Sequence, residues 1–165
     1  MFQKLRTDLI KRLSSIKVLL VNADMIPADG EESFYLCDQK SEGFGGIREL
    51  EKLGVKSIAF FTTTKNAVMD AVFRLGIDLI VQVVSTKAAF YSKLKSKHQI
   101  DDKEVAFIGG VLSDITIIEK AGFSVAFPDA PLEVKAKSYY VAYGTGGEGI
   151  KEVVDLIIKA KNSGS

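Results

Sequence analysis

The stretch Ile16-Lys17-Val18-Leu19-Leu20-Val21-Asn22-Ala23-Asp24 decides how the rest of the chain is read. Val18, Leu19, Leu20 and Val21 form a short apolar run, and the polar pair Asn22 and Asp24 follows it. An apolar run that ends in turn chemistry reads as a strand buried on both faces, at the centre of a parallel sheet. In open α/β sheets ligands sit just beyond the carboxyl ends of such strands. Asn22 and Asp24 therefore stand where a site is expected.

Upstream, Phe2, Leu5, Leu9, Ile10 and Leu13 recur at helical spacing with charged residues between them, which predicts an amphipathic helix ended by Ser14 and Ser15. Downstream, Pro27, Gly30, Gly43, Gly45 and Gly46 make residues 25–46 read as irregular, with a short strand or hairpin arm over 33–37. Helices are expected over 47–53, 66–75, 88–97, 113–121 and 150–161, the first, second and fourth closed by Gly54, Gly76 and Gly122 and the fourth capped by Ser113. Strands are expected over 57–61, 78–84, 105–108, 123–126 and 138–142, with a helical turn over 132–136 and a glycine-rich turn over 144–149. Such alternation predicts βαβ units and a parallel sheet with helices on both faces. The expected organisation is an N-terminal helix over 1–15, one α/β domain over 16–161 with a short insertion at about 25–46, and a flexible tail over 162–165.

The chain has 165 residues, 47% of them hydrophobic, enough for a sizeable core. Twenty-two basic residues against 21 acidic leave a formal net charge of +1, without a long run of one sign, so neither nucleic acid nor a membrane surface is an expected partner. The single cysteine, Cys37, forms no internal disulfide and has no Cys or His partner nearby in sequence. With no signal-peptide core and no apolar run of about 18 residues, a cytoplasmic protein is expected. His98, between Lys97 and Gln99, reads as a solvated surface residue.

Polar residues or glycines mark the strand ends: Asn22 and Asp24, then Thr62, then Lys87, then Gly110 to Asp114. This order resembles the haloacid dehalogenase superfamily of phosphotransferases, with its Asp-x-Asp, Thr or Ser, Lys, and Gly-Asp-Asp-x-x-Asp. The nearer resemblance is to 3-deoxy-manno-octulosonate 8-phosphate phosphatases, which lack a separate cap domain. Their Asp-Val-Asp-Gly-Val-Leu-Thr-Asp-Gly is met here by Asn22-Ala23-Asp24-Met25-Ile26-Pro27-Ala28-Asp29-Gly30. Their Ile-Gly-Asp-Asp-Leu-Asn-Asp is met by Ile108-Gly109-Gly110-Val111-Leu112-Ser113-Asp114, and the similarity continues through residues 121–126, 128–130 and 146–153. The resemblance implies an α/β, Rossmann-like three-layer sandwich with a central parallel sheet and no separate cap domain.

The same resemblance places Asn22 at the nucleophile position, Asp24 at the acid/base position and Lys87 at the lysine that steadies the phosphoryl group. It places Thr62 and Thr63, with Lys87, as anion contacts. It departs from the family at the two side chains that hold Mg²⁺. Asn22 is a neutral amide, a poor nucleophile and a weak ligand for a hard cation, and Gly110 has no side chain at all. No metal site is expected, Asp24 and Asp114 being the residual acids, and no cofactor; Mg²⁺ belongs only to an active phosphatase. Thr64 and Glu148 stand where relatives carry Arg. Asn-x-Asp with an eroded fourth motif also resembles the C-terminal phosphatase-like domain of animal CMP-sialic acid synthetases, which is associated with oligomerisation. The leading expectation is a catalytically degenerate phosphatase-fold protein acting in oligomerisation, partner binding or anion binding without hydrolysis. The alternative is an active Mg-dependent phosphatase of a phosphorylated octulosonic or nonulosonic acid. A homo-oligomer, a tetramer by family resemblance, and a phosphate or acidic-sugar ligand are the expected partners. At single residues two readings stand: Asp24 as acid/base or as a turn cap, Thr62 as phosphate contact or as a hydroxyl bonding a helix start, and Lys87 with Asp114 as ion pair or as anion site.

Overall fold

The computed structural model describes residues 2–26, 41–62, 72–77 and 79–163, without the side chains of 2–7 and 41–45. Its six strands are β1 (Val18–Asn22), β2 (Lys56–Phe61), β3 (Leu79–Gln82), β4 (Val105–Gly109), β5 (Phe123–Ala126) and β6 (Tyr140–Val141). All pair in parallel, in the order β3-β2-β1-β4-β5-β6. The helices are α1 (Phe2–Ser14), α2 (Ser41–Lys52), α3 (Lys87–His98), α4 (Ile115–Ile118), α5 (Leu132–Lys137) and α6 (Gly146–Ser163).

The opening stretch lies at the centre of this sheet, and every residue of β1 is buried. Its side chains alternate between two apolar layers. Leu19 and Val21 pack in the cluster that includes Leu13 of α1, Leu50 of α2, and Val153 and Ile157 of α6. Leu20 joins Phe60 and Phe107 in the cluster that takes Phe90 and Leu94 of α3, Ile117 of α4 and Val134 of α5. The result is the three-layer sandwich expected for a sheet that must cover both faces. Among the described residues there is no separate cap domain. From β1 the chain builds β2 and β3 on one side and returns to β4 on the other. β1 and β4 therefore flank the point where the strand order reverses, the place where such sheets open a crevice at their carboxyl ends.

Several boundaries differ from the sequence reading. The helix expected at 47–53 begins at Ser41, so Gly43, Gly45 and Gly46 lie inside α2. A Cβ on Gly46 would stand 3.0 Å from Val154 Cγ1, so this glycine lets α2 lie close on α6. The last helix begins at Gly146 and reaches Ser163, taking in most of the expected glycine turn and part of the expected tail. β3 and β6 are shorter than read, and both lie at sheet edges. The helix expected at 113–121 is a 3₁₀ turn, Leu112–Asp114, followed by the four-residue α4. Ser113 does not cap it, because its hydroxyl faces Lys87 instead. His98 is half-buried at the end of α3, and burial, with Lys56 and Lys97 nearby, pulls its pKa below the ordinary value. Thr63, the arm at 33–37, most of the insertion and most of the helix at 66–75 lie outside the described residues.

Candidate functional site

Asn22 ends β1, beside Phe60 of β2, and is fully buried. Its Oδ1 accepts the Asp24 N–H at 2.9 Å, which caps the 3₁₀ turn Ala23–Met25. Its Nδ2 donates to Asp114 Oδ2 at 2.8 Å. Both ends of the carboxamide are thus engaged. Asp114 is also fully buried. Its Oδ2 accepts two further donors, the backbone N–H groups of Gly110 at 2.9 Å and Val111 at 3.1 Å. Its Oδ1 accepts the Lys87 ammonium at 2.8 Å. Gly109 makes room for this carboxylate, since a Cβ there would stand 2.6 Å from Asp114 Oδ2. Lys87 is the first residue of α3, set in place by Thr86, whose Oγ1 accepts the Ala89 N–H at 3.1 Å. The same ammonium donates to Ser113 Oγ at 2.8 Å and stands 5.5 Å from the centre of the Phe60 ring.

Asp24 and Thr62 form the outer half of the site. The Thr62 N–H donates to Asp24 Oδ2 at 3.0 Å, and its hydroxyl donates to the same oxygen. Asp24 holds the loop backbone through the Thr62 N–H, while the 3₁₀ turn itself is capped by Asn22. For Thr62, the hydroxyl bonds a carboxylate rather than a helix start. The structure thus brings Asn22, Asp24, Thr62, Lys87 and Asp114 to one end of the sheet. Sequence reasoning missed Ser113 as a partner of Lys87, and it missed Met25. A Cβ on Gly110 would lie 2.5 Å from Met25 Cε and 3.3 Å from Met25 Sδ. The methionine thioether therefore occupies the space into which a side chain at position 110 would grow, and nothing in the sequence signals that packing.

The residues present do not fit a hard divalent cation. Mg²⁺ needs a near-octahedral set of oxygens, most favourably charged ones. Here position 110 offers no ligand, and the soft Met25 sulfur beside it suits such an ion poorly. Asp114 Oδ2 is surrounded by N–H donors, whose positive ends repel a cation. Among the described residues, no three of His, Cys, Asp or Glu cluster in a metal-holding group. The Asn22 amide carries no charge, and its oxygen is already hydrogen-bonded to the Asp24 N–H. No described helix is long and apolar enough to cross a membrane.

The sequence profile of haloacid dehalogenase-like hydrolases matches residues 61–154, more than half of the chain. The 3-deoxy-D-manno-octulosonate 8-phosphate phosphatase of Yersinia pestis is 32% identical over 165 aligned positions, covering 94% of this chain and 86% of the relative. Among solved structures, a chain assigned to the haloacid dehalogenase superfamily (subfamily III A) from Legionella pneumophila superposes with a TM-score of 0.80 at 24% identity, covering 98% of this chain and 92% of its own. The 3-deoxy-D-manno-octulosonate 8-phosphate phosphatase of Moraxella catarrhalis, solved with magnesium, phosphate and the sugar acid, superposes with a TM-score of 0.76 at 24% identity, over 94% of this chain and 92% of its own. At those identities the two structures speak for the fold alone.

Proposed function

The chain belongs to the haloacid dehalogenase-like hydrolases, and within them to the 3-deoxy-D-manno-octulosonate 8-phosphate phosphatase family, and from that membership we propose that it is a member working without phosphoester hydrolysis, through protein contacts at the carboxyl end of its sheet. One observation carries the reading: the residue at the nucleophile position is an amide locked between the Asp24 N–H and the Asp114 carboxylate. Phosphoryl transfer depends on an in-line nucleophile and on neutralisation of phosphate charge, and both are compromised here. Among non-hydrolytic roles, the surface favours a protein partner over an anion. Lys87 is already paired with Asp114, its side chain 9% exposed. Val84 after β3, Leu112 in the 3₁₀ turn after β4, Leu132 at the start of α5 and Tyr143 after β6 expose large apolar side chains instead. These exposed apolar side chains are what supports the protein-contact reading. Self-association is the simplest form, and sizing with light scattering at micromolar concentration is expected to return an oligomer; a monomer overturns it.

A second reading is hydrolysis of a 3-deoxy-octulosonate 8-phosphate or a similar phosphorylated sugar acid with Mg²⁺. The comparisons favour it over a non-catalytic role, because the relatives carry that activity in their names and match nearly the whole chain. Phosphate release from 3-deoxy-D-manno-octulosonate 8-phosphate in the presence of Mg²⁺ separates the two. The first reading expects release no faster than without protein. Turnover that Asp24→Ala abolishes would establish the second reading and remove the first.

A further inference from the structure

Asn22 and Asp114 stand 92 residues apart in sequence and share a buried hydrogen bond of 2.8 Å across β1 and the loop after β4. Were position 22 a carboxylate in the same rotamer, two anionic oxygens would face each other at that distance in a site from which water is excluded. Such a pair persists only with a cation or a proton between its members. In this chain the amide Nδ2–H lies where that positive charge would act. The Lys87 ammonium completes the neutralisation from the other oxygen of Asp114. Met25 covers the outer side, over Gly110.

Resting on the non-hydrolytic reading above, we infer that Asn22 is a positioning residue that holds Asp114 in the place of a metal ion, so that the centre is a metal-independent staple between β1 and β4. Asn22, Lys87 and the N–H groups of Gly110 and Val111 together satisfy Asp114 with no further ligand. The staple ties the two strands that flank the reversal of strand order, so its loss loosens the middle of the sheet rather than an edge.

Thermal unfolding of the full chain in excess EDTA and in millimolar Mg²⁺ tests this. The wild-type midpoint is expected to be the same in both, and Mn²⁺ added as a paramagnetic probe is expected to remain unbound. Asn22→Asp is expected to lower the midpoint in EDTA by roughly 6–20 °C, the scale for an uncompensated buried charge in a chain of this size, and to regain part of that loss in Mg²⁺. Asn22→Ala, which removes the amide without adding charge, is expected to lose stability with no response to Mg²⁺, which separates charge replacement from simple packing. A wild-type midpoint raised by Mg²⁺, Mn²⁺ binding to the wild type, or Asn22→Asp melting like the wild type in EDTA would each overturn the inference. If Asn22→Asp does not fold, the two wild-type measurements decide alone. Metal binding without phosphate release would sink the staple and leave the non-hydrolytic role standing, whereas metal-free phosphate release would do the reverse.

Discussion

Helix α3 carries two lysines that look alike on paper. Lys87, its first residue, meets Asp114 at 2.8 Å and lies over the Phe60 ring at 5.5 Å. Lys95, in its last turn, meets Asp102 at 2.8 Å and lies over the Tyr91 ring at 4.7 Å. Partner type, distance and aromatic floor are shared, but the surroundings are not. Side-chain exposure is 9% and 0% for the first pair and 24% and 44% for the second. Lys95 also lies at the helix end that favours a cation, whereas Lys87 lies at the end that disfavours one. A cation at a helix N-terminus, buried and held by a buried carboxylate and the Ser113 hydroxyl, is costly to keep for stability alone. The difference teaches that α3 has a surface end optimised locally and an inner end whose chemistry is dictated by the site.

The largest way to break this comparison is to remove each acid. Asp114→Ala leaves the Lys87 ammonium and three N–H donors buried without their partner, and is expected to cost about 3–5 kcal/mol in urea unfolding. Asp102→Ala, which removes a solvent-screened ion pair and the acceptor of the Tyr91 hydroxyl, is expected to cost less, about 1–2 kcal/mol. Equal losses would erase the distinction. A smaller effect comes from crowding the inner carboxylate without deleting it. A Cβ at Gly109 would lie 2.6 Å from both Asp114 Oδ2 and the Phe107 ring, so Gly109→Ala is expected to destabilise by about 1–3 kcal/mol in the same assay. The smallest effect sharpens the outer pair. Burial pushes the Asp102 carboxyl up, but hydrogen bonds from Lys95 and Tyr91 outweigh it and hold the group below its ordinary 3.8. With the folded value depressed, its contribution is present above that ordinary value and fades as pH falls through the folded one. Stability followed below about pH 4 is thus expected to drop slightly less steeply in Asp102→Asn than in the wild type.

The central strands were legible because burial on both faces leaves an unbroken apolar run, as in Val18 to Val21 and in β4. The glycines of α2 and α6 were misread as turns because propensity is local, whereas Gly46 is chosen for its approach to Val154. In the site, the positions of Asn22, Thr62, Lys87 and Asp114 were readable from motif order, but their bonding was not. Thr62 turns to Asp24 and Ser113 turns to Lys87 because of how β1, β2 and α3 meet in space. The contact between Met25 and Gly110 depends on a rotamer that no spacing encodes.

That contact carries a consequence in evolutionary terms. An aspartate at position 110 would meet the Met25 methyl group, one at position 22 would meet the Asp114 carboxylate, and neither alone would supply the full ligand set of a cation site. Changes at 22, 25 and 110 are close enough for their effects to couple, so a metal centre is rebuilt by changing them together rather than by any one of them alone. Packing of this kind acts as a brake rather than a lock: the Met25 methyl group is the flexible end of a long side chain and can give way, but a complete cation site still needs more than one substitution.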